Sequence, residues 1–151
     1  VRYLVGIGNY TGGDDAVGLR VVEHIVASGL ERDFIAVDLS SDALGLVAYL
    51  DADTEAVVIV DAARLGLAPG EYRFFSPDEV ETRKETAGFS THEGDVINVL
   101  ALARSAGYTI PPLAIMGIEP QAVGCGLSLS DRLQERLPAY AAAAIERLSS
   151  L

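Results

Sequence analysis

The run AVVIV at residues 56–60, closed by Asp61, constrains this chain more than any other stretch. Five consecutive apolar residues, mostly β-branched and without polar alternation, mark a strand buried on both faces. Such strands belong to parallel sheets with helices packed on either side. Shorter β-rich runs alternate with helical patterns around it. We read strands at 3–7, 34–38, 56–60, 71–75 and 113–118, and helices at 16–27, 44–50, 93–105 and 131–148. Val17, Val21 and Ile25 form one buried helical stripe, and Leu133, Leu137, Tyr140 and Ala144 form another. Pro69-Gly70 reads as a turn into the fourth strand, which places that strand antiparallel at an edge. The expectation is an α/β fold: a single three-layer domain over residues 1–151, with a mainly parallel twisted sheet, one antiparallel edge strand and helices on both faces.

Length and charge limit the function classes. A chain of 151 residues, half of them apolar, is the size of one well-filled core. A formal charge of -11 repels phosphate backbones and anionic headgroups, so neither nucleic acid nor a membrane surface is an expected partner. No apolar run approaches the roughly 20 residues that span a bilayer, and VRYLVGIGN does not read as a signal peptide. A lone cysteine, Cys125, forms no internal disulfide. These features suggest a cytoplasmic protein.

After the first strand comes GIGNYTGGDDAVG, residues 6–18. A dinucleotide loop needs glycines spaced GxGxxG so that its backbone can approach a pyrophosphate at a helix start. Gly6 and Gly8 fit, but Thr11 takes the third place, and Asp14 and Asp15 stand where they would repel a phosphate. Asp14 reads as a helix cap. One cap does not require a second acid, which leaves Asp15 to serve as a ligand. Asp61 stands at a strand end, where open α/β sheets place their ligand crevices, although by itself it reads equally well as a turn or cap residue. In FSTHEG, Ser90 and Glu93 have capping-box spacing and put His92 in a first helical turn. His24, in the middle of the first helix, is given no role.

Asp15, Asp61 and His92 together make an oxygen, oxygen, nitrogen set suited to a divalent transition ion with a position left for water or substrate. Spacing alone does not establish it, because HExxH, paired CxxC and EF-hand loops are all absent. Ser90 and Thr91 lack the GxSxG context of a hydrolase, and nothing places a histidine beside Cys125.

Four blocks, GIGNYTGGDDAVG, VVIVDAARLGLAPGEYRFFSPDEV, FSTHEG and IMGIEPQAVGCGLSLS, occur in this order over nearly the whole chain. In this the chain resembles the maturation endopeptidases of nickel-iron hydrogenases. The resemblance implies an α/β enzyme that removes a C-terminal extension from the hydrogenase large-subunit precursor once nickel has been inserted. It further implies that Asp15, Asp61 and His92 bind metal, either the nickel carried by the precursor or another divalent transition ion in its place. Asp38 matches a further acid at the end of the second strand. That acid is usually followed by Gly-Gly, where this chain has Leu39-Ser40. Asp38, Glu93 and Glu119 are candidate general bases, and Asp38 is favoured as the end of an expected central strand. A binding module that senses the metal without cutting would use the same three ligands. A nucleotide-binding oxidoreductase would use Asp38 on a ribose, but the loop argues against it.

Overall fold

The structure, a computed structural model, describes residues 1–79 and 95–151 in full and the backbone alone of residues 91–94. Its centre is one five-stranded sheet in the order β2-β1-β3-β5-β4. The strands are β1 (Arg2–Gly6), β2 (Ile35–Asp38), β3 (Ala56–Ala62), β4 (Tyr72–Phe75) and β5 (Leu113–Ile118). β1 pairs in parallel with β2 and β3, and β3 with β5, while β4 runs antiparallel along β5 at the edge. Every residue of β3 is buried, as a run without alternation requires. β3 also extends two residues further than expected, so Asp61 lies within the strand and pairs with Gly117.

Helix α1 (Val17–Ala27) and helix α3 (Asp131–Ser150) cover one face of the sheet. The two stripes read from the sequence are buried there: Val21 and Ile25 from α1, Leu133 and Tyr140 from α3, all at 1% exposure or less. A 3-10 segment, Ala43–Tyr49, and helix α2 (Thr91–Ser105) cover the other face, where Leu46, Val96 and Leu100 pack on Val5, Val57 and Ile59. The expected α-helix at 44–50 is thus a tighter 3-10 element, capped by the Asp42 side chain on the Gly45 N–H. Apolar spacing over so few residues does not separate the two kinds of helix.

The strand that carries Asp38 is at an edge, which corrects the expectation of a central strand. Among the described residues β2 pairs only with β1, and Ile35 is 49% exposed. The edge strand at the opposite side behaves as expected. The turn before β4 is held by the Tyr140 hydroxyl, which donates to the Gly70 carbonyl at 2.6 Å and ties that edge to α3.

Candidate active site

The chain leaves β1 towards β2 on one side and β3 on the other, so the sheet reverses its winding between β1 and β3. At such a switch point the carboxyl ends of the strands open a crevice. The loop following β1 fills its rim. Gly18 makes the packing possible: a Cβ there would stand 2.1 Å from the Val60 carbonyl oxygen and 2.7 Å from that of Ile7. α1 therefore starts in backbone contact with β3, which only glycine permits.

The amides of this loop are already used. Ile7, Gly8 and Asn9 donate to the carbonyls of Val60, Ser40 and Asp15. Thr11 donates to the Asn9 side chain, and Gly12 to Ala16 each donate to a backbone carbonyl. A phosphate cradle needs amides pointing at the ligand. This loop spends them on its own fold, in agreement with the reading against a nucleotide.

Asp14 does not cap the helix. The position before the 3-10 turn Asp14–Ala16 is Gly13, and no side-chain cap bond forms there. The Asp14 carboxylate is instead fully buried and accepts four hydrogen bonds from the segment before α3: from the N–H groups of Gln121 and Ala122, both at 2.9 Å, and from the N–H and hydroxyl of Ser130, at 2.7 and 2.8 Å. Backbone bonds extend the seam. Gly13 N–H donates to the Gly126 carbonyl, Asp14 N–H to that of Ala122, and Gly126 N–H to that of Thr11. The last glycine-rich stretch, with exposed Cys125, is thereby stitched to the first loop. Its sequence signal is Asp14, the acid that the sequence alone reads as a helix cap.

Asp15 sits in that 3-10 turn, half-buried, with its carboxylate lying over Gly12, where a Cβ would come within 2.9 Å of its own Cβ. Asp61 is 1% exposed, and its Oδ1 accepts the neighbouring Ala62 N–H at 2.8 Å, which fixes the carboxylate at the strand end. Asp38, level with Gly6 in the β1–β2 register, completes a row of three acids along the carboxyl edge. His92 lies in the first turn of α2. The end of α2 lies at the amino edge, where Ala106 and Tyr108 share a cleft with Leu50 and Asp51, so α2 starts from the carboxyl side. The imidazole, like Ser90 and the Glu93 side chain, lies outside the described residues. Among the described residues no group of three or more His, Cys, Asp or Glu is gathered to hold a metal ion. One carboxylate from the 3-10 turn after β1, one from β3 and an imidazole are nevertheless a donor set whose chemistry fits a borderline divalent ion.

Two further acids are resolved differently. Glu119, 6% exposed, accepts the Leu65 and Leu67 N–H groups at 2.8 Å on one oxygen and so shapes the loop after β3. Asp38 holds two donors: the Ser40 N–H at 2.7 Å on Oδ1 and the Tyr10 hydroxyl on Oδ2. Ser40 adopts a left-handed φ of 53° in place of the usual glycine. The Tyr10 phenol is pushed above the ordinary tyrosine range, first by burial and then by the Asp38 carboxylate.

Comparison with known proteins places the chain in a family. A model of the hydrogenase maturation proteases matches residues 19–147. The hydrogenase expression/formation protein HupD of Rhodobacter capsulatus is 27% identical over 118 residues, which are 78% of this chain and 56% of HupD. HoxM of Azotobacter vinelandii, with the same description, is 28% identical over 148 residues, 97% of this chain and 71% of its own length. The chain thus spans little more than half of the first relative. Among solved structures, the hydrogenase maturating endopeptidase HybD from E. coli superposes with a TM-score of 0.82 at 22% identity, covering 99% of this chain and 93% of HybD, a likeness of fold. Among the described residues no helix is long and apolar enough to cross a membrane.

Proposed function

This chain belongs to the hydrogenase maturation protease family, and from that premise we propose that it is an endopeptidase, folded as one domain over residues 1–151, that acts in the cytoplasm. Its substrate is a nickel-iron hydrogenase large-subunit precursor, from which it removes the C-terminal extension after nickel insertion. The observation that carries this reading is the row of acids on adjacent strand ends: Asp38, the loop bearing Asp15, and Asp61, all at the carboxyl edge on either side of the switch point.

In this reading Asp15, Asp61 and His92 engage the nickel that the precursor brings, and other divalent transition ions substitute for it. Held by these residues, the ion would supply positive charge to polarise the carbonyl being cut. Asp38 takes a proton from the attacking water and leaves it for the departing amine. No residue of a serine or cysteine protease is needed. Making the precursor supply the metal also confines cutting to loaded precursor, because the assembled site exists only in that complex.

The test is to incubate the protein with nickel-loaded and nickel-free precursor and weigh the products. One cut in the loaded precursor alone is expected. No cut in either would end the endopeptidase reading. Efficient cutting of nickel-free precursor, with both proteins stripped by chelator, would end recognition through the substrate metal while leaving the protease assignment in place.

A further inference from the structure

Asp38 is exposed at the end of an edge strand, where a carboxylate ordinarily samples several rotamers. Here it is held from two sides. The Ser40 N–H takes Oδ1 from within its own loop, and the Tyr10 hydroxyl takes Oδ2 from the loop after β1. Tyr10 is itself braced: the Arg20 guanidinium lies over its ring, 5.1 Å from the centroid. Arg20 is anchored in turn to the Leu127 carbonyl at 2.8 Å and to Glu23 at 2.9 Å. A continuous brace thus runs from the segment before α3, across the first loop, to the end of β2.

We propose that Tyr10 is a positioning residue for Asp38, holding its carboxylate in the one orientation from which it meets the attacking water. This rests on the reading of Asp38 as general base. A carboxylate offers about four lone-pair sites, so two remain for that water when Ser40 and Tyr10 are bound. Burial and the neighbouring carboxylate keep the phenol protonated, which makes it a standing donor in the neutral range. Tyr10 touches neither substrate nor metal in this scheme and acts only through Asp38.

The experiment measures single-turnover cleavage of nickel-loaded precursor by wild type, Tyr10→Phe, Asp38→Asn and the double variant, with circular dichroism as the folding control. Tyr10→Phe keeps the ring beneath Arg20 and removes only the hydroxyl. Its maximal rate should fall roughly tenfold, the weight of one hydrogen bond to a charged group, with the half-saturating precursor concentration changed by less than about twofold. On the residual rate of Asp38→Asn the same change should have less than about a twofold effect. A wild-type maximal rate in folded Tyr10→Phe, or a loss confined to precursor affinity, overturns the proposal while the protease assignment stands. Wild-type protein that cuts nothing overturns both.

Discussion

Ser130 donates twice to Asp14, through its backbone N–H at 2.7 Å and its hydroxyl at 2.8 Å, across 116 positions of sequence. A buried carboxylate that accepts these bonds and two more from Gln121 and Ala122 can only be replaced by another acceptor of the same shape. Asparagine is not one, since its amide would turn a donor towards donors. We expect Asp14→Asn to lose about 2–4 kcal/mol in urea unfolding, as suits charged hydrogen bonds broken in the interior. An unchanged midpoint would show that the seam contributes little.

Gly18 predicts a second, sharper loss. Alanine normally favours a helix over glycine by about 1 kcal/mol. Here its methyl would lie 2.1 Å from the Val60 oxygen, in backbone that cannot yield without parting α1 from β3. Gly18→Ala should destabilise by at least about 2 kcal/mol despite the better propensity. Gly29→Ala is an unsuitable control because Gly29 has a positive φ of 65°. Ala27→Gly, at an exposed helix end, should cost no more than about 1 kcal/mol.

The Tyr10 phenol should titrate above the ordinary tyrosine value, as followed by the ultraviolet difference between wild type and Tyr10→Phe. The sign follows from the two causes, burial first and Asp38 second, both of which favour the neutral form. Stability from this group is therefore full below about pH 10 and declines as pH rises beyond it. Asp38→Ala should bring the titration down towards, but not to, the ordinary value, because burial remains. No movement in that variant would remove Asp38 from the environment of the phenol.

His92→Ala should abolish processing and leave the fold intact, whereas His24→Ala should process normally. His24 is half-buried on α1, in a groove it shares with Arg20 and Leu137. The contrast is read in one cleavage assay with both variants shown to be folded. Equal, normal rates would deny His92 any part in catalysis or recognition.

What the sequence made legible was what local pattern controls. AVVIV could only be a two-faced strand, and the stripes Val17–Val21–Ile25 and Leu133–Leu137–Tyr140 could only face a core. The edge position of β2 was not legible, because FIAVD carries no alternation that distinguishes an edge from the interior, and pairing order is a long-range property. Asp14 was misread for the same reason. An acid at a helix start looks like a cap until its real partners, more than a hundred residues away, are in view. Asp15 and Asp61 were legible only as candidates, one as an acid the helix start does not need and one at a strand end, and Tyr10 not at all, since nothing in the spacing of residues 10 and 38 announces a shared hydrogen bond.

The seam between the first loop and residues 121–130 also governs when the protein becomes whole during its synthesis. A ribosome delivers Asp14 and Asp15 early, and β1, β2 and β3 have all emerged well before the donors that Asp14 needs. Until residues 121–130 arrive, Asp14 is a hydrated carboxylate without the four donors that seat it in the folded chain. A nascent chain halted after β5 would possess all five strands and still lack the donors that seat Asp14 beside Asp15. The seam closes only once the segment that introduces α3 is present.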